Sequence, residues 1–214
     1  MEVHMRSLFL LVAILMMLGG CAGRSSVSEN QCAAGDWQTI GYRDGVNGYR
    51  STRLLEHQDA CMKHQIVPDR AEYMVGWEQG VREYCEPNNG FTVGERGWQH
   101  NNVCPTDMEA DFQKAWKQGR SLYQARVDVA NLEQELDAKT ARLTAVKSEI
   151  VSAAAAQLNT ELTPTARVEL ATRVQRLYEE REQLNDDIPL IEAELAVKSR
   201  ELERLSQSLA SVSY

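Results

Sequence analysis

The chain is poor in the residues from which active sites and metal centres are usually assembled. It has four histidines, and beyond the first twenty residues only His57, His64 and His100 remain. No G-x-S-x-G sequence occurs and no C-x-x-C pair, which argues against a serine hydrolase elbow, a thiol catalyst and the common zinc motifs. Lysine and arginine never cluster, and the net charge is -8, so the counterion release that drives nucleic-acid binding is missing. Nucleic acid is therefore not an expected partner, and an anionic lipid surface is a poor docking site. No stretch alternates with period two, so strands are not expected. The long apolar run needed for a membrane span, about 20 residues, is also absent; Ser7 to Leu18 is only about 12.

That short run has another reading. Arg6 ends a short n-region, Ser7 to Leu18 has h-region length, and Leu18-Gly19-Gly20-Cys21 closes it with small residues before a cysteine. Residues 1–20 thus resemble a bacterial lipoprotein signal, with Cys21 becoming the acylated N-terminus of the mature chain. Ala22 follows Cys21, which resembles the outer-membrane address. An uncleaved anchor helix is the alternative. Residues 21–31, polar and serine-rich, read as a flexible tether between lipid and domain.

Four cysteines are left: Cys32, Cys61, Cys85 and Cys104. In an oxidising compartment an even number in a short segment reads as two disulfides, with three connectivities. Zinc held by His57, Cys61 and His64 is the competing reading, and a metal or enzyme site there is the minor functional alternative.

What the sequence does have is repetition. Gly41-Tyr42-x-x-Gly45-x-x-x-Tyr49, Gly76-Trp77-x-x-Gly80-x-x-x-Tyr84 and Ala115-Trp116-x-x-Gly119-x-x-x-Tyr123 are three copies of one pattern. On a helix, positions four apart share a face, so each copy sets a small-residue notch beside an aromatic ridge. A helical glycine costs roughly 1 kcal/mol against alanine, so repeating it implies close approach by a neighbouring helix. Asp36 is the expected cap of the first repeat helix and Gly48 its end or a kink; Ser51 to His64 reads as a second helix. Asp69 with Glu72 opens the second repeat helix, Thr106 with Glu109 the third. Between them Pro87-Asn88-Asn89-Gly90 reads as a break, and Gly90, Gly94, Gly97 and Trp98 as a glycine-rich turn region. Since Cys85 ends the second repeat helix and Cys104 precedes the third, Cys85–Cys104 and Cys32–Cys61 are the expected bridges.

Composition changes at Tyr123, after which there is no glycine, cysteine or tryptophan. Heptads take over: Val129, Leu136, Leu143 and Ile150 at a with Leu132 and Val146 at d, then Val174, Ile188, Leu195, Leu202 and Leu209 at a with Leu170, Leu177, Leu184, Ile191, Leu205 and Val212 at d. Thr163-Pro164 marks a turn over residues 159–163. Lys139, Arg181 and Lys198 interrupt the seam, their stems expected to lie along it while their charges reach water. Pro189 reads as a kink in a continuing helix, a fresh start capped by Asp186 or Asp187 being the alternative. The expected fold class is all-α: a small disulfide-stapled helical domain, residues 32–123, continuing into a long antiparallel coiled-coil hairpin, residues 124–214.

Taken together, Cys32-x-x-x-Asp36-Trp37, Gly41-x-x-Asp44-Gly45-x-x-Gly48, His57-x-x-x-Cys61, Pro68-Asp69, Tyr73-x-x-Gly76-x-x-x-Gly80, Tyr84-Cys85, Asn89-Gly90, Gly94-x-x-Gly97 and Val103-Cys104-Pro105 resemble an uncharacterised family of bacterial lipoproteins, the domain of unknown function numbered twenty-seven ninety-nine. The resemblance covers about residues 32–123 and leaves out the hairpin; His100 departs from the aromatic residue expected there. It implies the envelope location and the disulfides, and no catalytic residue. The expectation is thus a non-enzymatic, outer-membrane-anchored periplasmic lipoprotein that meets envelope proteins, or itself, through the coiled coil, with no cofactor and no metal. The alternative is a peptidoglycan-binding protein, in which Trp98 stacks on a sugar face beside the amides of Asn89 and Asn102.

Overall fold

The computed structural model describes residues 26–210. These are helices joined by turns, with no strand among the described residues. The signal, Cys21 and Val212 lie outside that range. The order is α1 (Glu29–Ala34), α2 (Trp37–Val46), one 3-10 turn (Ser51–Arg53) running into α3 (Leu54–Met62), α4 (Arg70–Tyr84), α5 (Pro87–Glu95), α6 (Thr106–Gln157) and α7 (Pro164–Ala210). Two compact units divide the chain, Met1–Val81 and Arg82–Tyr214, the division falling in the last turn of α4.

In the first unit, part of the expected tether is folded. Ser28 and Gln31 form a reciprocal capping box that opens α1, and Val27 is buried with Cys32, Trp37, Ile40, Leu54, Ala60, Cys61 and Tyr73. Cys32 is bonded to Cys61 with Cα atoms 5.6 Å apart, a normal disulfide span. The Asp36 carboxylate accepts the Thr39 N–H at 3.2 Å and starts α2. The Asp69 carboxylate accepts from Ala71 N–H and Glu72 N–H at 2.8 and 3.0 Å and starts α4.

Helices α2 and α4 meet backbone to backbone. A Cβ on Gly41 would run into the Tyr73 carbonyl, and one on Gly45 would lie 2.6 Å from the Val81 nitrogen. Reciprocally, a Cβ on Gly80 would lie 2.8 Å from the Val46 nitrogen. Any side chain at these three glycines, or at Gly76 beside them, would prise the helices apart, so the notch is the contact itself.

The second unit corrects the sequence reading. The stretch taken for a glycine-rich turn is helix α5: Pro87 stands at its first position, where its missing N–H costs nothing. Gly90 and Gly94 then pack against the Phe112 and Trp116 carbonyls of α6, and Gly119 against that of Phe91. Gly90-Phe91-x-x-Gly94-x-x-Gly97-Trp98 is therefore a fourth copy of the pattern. The two helix pairs correspond in detail. Gly48 and Gly97 end α2 and α5 in the left-handed region, φ 69° and 76°. Tyr49 N–H donates to the Asp44 carbonyl at 3.0 Å, and Trp98 N–H to the Val93 carbonyl at 3.0 Å. Trp77 Nε1 donates to the Tyr49 carbonyl at 2.8 Å, and Trp116 Nε1 to the Trp98 carbonyl at 2.9 Å. In each pair a disulfide joins the approach to one helix with the approach to the other; the second is Cys85–Cys104, Cα atoms 5.5 Å apart. Both bridges are the pairs argued from helix order.

One further expectation changes. The Thr106–Glu109 capping box is not made, because α6 already begins at Thr106 with Pro105 as its uncapped neighbour. Across Tyr123, where the composition changes, α6 runs from Thr106 to Gln157 as one helix. After the turn, the Thr163 hydroxyl accepts the Ala166 N–H at 3.2 Å, and α7 runs on through Pro189 without a fresh start. Val146, Ile150, Leu177 and Leu184 form the buried seam, with Leu143 packed on it. Lys139–Asp187 at 2.9 Å, Arg142–Glu180 at 2.7 Å and Arg173–Glu149 at 3.4 Å fix the antiparallel register. Carried on at 1.5 Å per residue, that register sets the end of α7 level with the repeat portion of α6, so α7 does not run past α6. Of the interrupting charges, Lys139 crosses to Asp187, while Arg181 stays with Glu182 and Lys198 with Glu201 on their own helix.

Candidate functional site

The first helix pair carries a buried polar cluster. Asp44, one residue before the Gly45 notch, is only 7% exposed. Its Oδ2 accepts the Tyr73 hydroxyl at 2.8 Å and lies 2.7 Å from His57 Nε2, and its Oδ1 lies 3.4 Å from Arg53 Nε. The second nitrogen of His57, Nδ1, lies 2.8 Å from Ser26 Oγ. A carboxylate only accepts, so Asp44 assigns a proton to Nε2, and Nδ1 is the ring nitrogen that meets the Ser26 hydroxyl. His57 and Tyr73 are 1% and 0% exposed, their rings meeting edge-on at 5.9 Å. Burial, with the Asp44 hydrogen bond second, pushes the Tyr73 phenol well above the ordinary tyrosine range.

The second pair shows what the fold does without this cluster. The positions of Asp44 and Tyr73 are held there by Val93 and Phe112, both buried. Only five residues separate Trp98 from Cys104, where the first pair inserts the 3-10 turn and α3 that deliver Arg53 and His57. The second notch packs around an apolar pair, so the buried Asp44 goes with the inserted turn and helix that supply its partners Arg53 and His57.

Serine, histidine and aspartate in hydrogen-bonded series form the chain a nucleophilic hydroxyl needs. Here the ring is reversed relative to a base that hands its proton outward through Nε2, and Asp44 is shared between the His57 and Tyr73 hydrogen bonds and the Arg53 charge. The arrangement instead closes a core and ties the segment at Ser26 to α3. Asp44, Tyr73, Arg53 and Ser26 carried no periodic signal. Asp44 and its partners His57 and Tyr73 are 13 and 29 residues apart, and the only clue was a carboxylate beside a helical glycine.

The residues singled out from sequence divide differently. Cys61 is bonded to Cys32, both ring nitrogens of His57 are engaged, and His64 faces Glu29 at 3.4 Å, so these three do not form a ligand set. Gly41, Gly45, Gly76, Gly80, Ala115 and Gly119 are all at helix contacts or buried. Trp98 does not fill a core: it is 57% exposed, with the Arg96 guanidinium 5.1 Å from its ring. Asn89 turns its amide to the Tyr84 carbonyl at 2.6 Å. Asn102 sits in the following loop with φ 51°. His100 packs edge-on against Phe112 and Trp116 at 6.0 and 5.0 Å.

Among known proteins, no curated protein and no solved structure matches the chain. The family model described as Protein of unknown function (DUF2799) matches residues 36–121. That span takes in both glycine-notched helix pairs and the Asp44 cluster except Ser26, and leaves out the hairpin. Over residues 36–121 the chain is similar to the DUF2799 family, and a long helical extension follows that span.

Proposed function

We propose that this protein is a non-enzymatic lipoprotein of the outer membrane, anchored through Cys21, whose hairpin is a contact arm for envelope proteins or for a second copy. The observation that carries this reading is the hairpin's allocation of apolar side chains. One stripe is spent on the α6–α7 seam, yet Val151, Leu158 and Val168, around the connecting turn, stay exposed. Exposed apolar groups clustered at one end of a helical arm suit a protein partner. Asp44, His57, Tyr73 and Ser26, the residues nearest to a chemical constellation, are engaged with one another. The disulfides suit the periplasm, and the acidic surface leaves the acyl chains as the membrane attachment.

Photo-crosslinking residues placed at 151, 158 and 168 in living cells are expected to capture discrete envelope proteins or a second copy. Capture only from sites outside the hairpin would discard the reading. Fractionation of Cys21→Ser cells tests the anchor separately, since the chain should then leave the membrane fraction.

A second reading rests on Trp98 alone, whose exposed indole can stack on a sugar ring. Cosedimentation with cell-wall sacculi that Trp98→Ala abolishes would favour peptidoglycan; equal pelleting by both chains rejects it.

A further inference from the structure

The first unit has an apolar groove of about 470 Å³ between α3 and the start of α4, lined by Leu54, Leu55, Val67, Pro68 and Met74 with Arg70 at its rim. Leu55 and Val67 are 61% and 70% exposed, a costly placement for aliphatic side chains facing water. We propose that this groove holds one fatty acyl chain of the lipid on the protein's own Cys21. The inference rests on the anchor reading above and adds a place for the lipid.

Three observations select that occupant. The N-terminal segment is delivered to the correct helix: Ser26 is bonded to His57 of α3, and Val27 is buried in the same cluster as Leu54, which lines the groove. From Ser26 back to Cys21 is five residues, a reach of about 17 Å when extended. That equals the length of more than three helical turns, and α3 from end to end is nine residues. The chemistry also fits. The groove's walls are aliphatic, as an acyl chain requires, and its polar members, Ser51, Thr52, Gln58 and Arg70, suit the ester and glycerol end of a lipid. The Asp44 cluster thereby gains a purpose absent from the second helix pair: it fixes, through His57 and Ser26, the point from which the lipidated end leaves the domain.

The test uses the full chain in cells fed a diazirine-bearing palmitate analogue, which enters the lipid on Cys21. After irradiation and digestion, mass spectrometry is expected to find the label joining Cys21 to peptides containing Leu55 or Val67. In the Leu55→Asp, Val67→Asp chain, which changes only exposed side chains, those crosslinks should fall about tenfold or more, because a carboxylate in an apolar slot must be desolvated. Labelled Cys21 crosslinked to phospholipid alone overturns the groove proposal and leaves the anchor standing. An unlabelled Cys21 overturns both. Groove crosslinks undiminished by the two aspartates show that the acyl chain lies elsewhere, and also overturn it.

Discussion

Gly76→Ala tests the packing logic most sharply, because two physical effects predict opposite signs. Helix propensity alone favours the alanine by about 1 kcal/mol. The structure opposes it: a Cβ at Gly76 would lie 2.7 Å from the Gln38 carbonyl carbon and 2.8 Å from the Tyr42 nitrogen, and nearer still to the Gln38 oxygen, where ordinary contact begins at 3.4 Å. All three obstacles are backbone, so no rotamer change relieves them, and α2 and α4 must separate along their whole contact. Overpacking of this kind costs about 1–3 kcal/mol, and rigid neighbours place it at the upper end. The net expectation is a loss of about 2 kcal/mol, or roughly 10 °C in Tm for a unit of this size. Ala115, the corresponding residue of the second pair, already carries a Cβ, and α5 only begins at Pro87, the position matching Gln38. Ala115→Gly should therefore relieve nothing and lose about 1 kcal/mol through propensity. Denaturant unfolding of the unlipidated Cys21→Ser background, followed by tryptophan fluorescence, reads both changes, since Trp37 and Trp77 lie in the unit of Gly76, and Trp98 and Trp116 in that of Ala115. A rise in stability on Gly76→Ala would refute the backbone-contact account.

Three other outcomes follow from the same structure. Replacing Cys85 and Cys104 together by alanine opens a separation of 19 residues and should cost about 3 kcal/mol in the chain-entropy account; a loss below about 1 kcal/mol in denaturant unfolding would show that packing alone holds the pair. Tyr73 keeps its proton in the folded chain when the unfolded chain has released it, so stability is whole below the ordinary tyrosine pKa of about 10 and declines as pH rises beyond it. Tyr73→Phe should flatten that alkaline limb, and ultraviolet phenolate titration should show one tyrosine fewer resisting ionisation. In the hairpin, Leu184→Ala should lose about 2–5 kcal/mol, whereas Lys139→Met, which gives up a partly exposed ion pair with Asp187, should change stability by less than about 1 kcal/mol; helical melting that ranks them the other way would show that charge, not the apolar seam, holds the arms.

Much of this architecture is legible in the sequence where a residue's role is local or periodic. The Asp36 and Asp69 caps, the end of α2 at Gly48, the turn before Pro164 and the seam of the hairpin all depend on neighbours within two helical turns. The fourth copy of the repeat was hidden by its own composition. Pro87, Asn88, Asn89 and Gly90 carry strong turn signals, yet a proline at the first helical position and glycines pressed against another backbone produce the same letters. Thr106 and Glu109 have capping-box spacing, but α6 starts one residue too early to use it. The Asp44 cluster was illegible for a different reason: its members come from α2, α3, α4 and the N-terminal segment, and only the tertiary fold brings them within hydrogen-bond distance.

The 52 residues of α6, about 78 Å of unbroken helix, have a mechanical meaning. One end is clamped by the α5 notch and the Cys85–Cys104 staple; the other reaches the turn of the hairpin. No glycine or proline interrupts the span after Gly119, so there is no joint at which a pull on the turn could be absorbed. A load applied there is carried along the axis and arrives at the covalent staple. Such a helix behaves as a strut, and cutting the chain at Tyr123, where the composition changes, would saw through it.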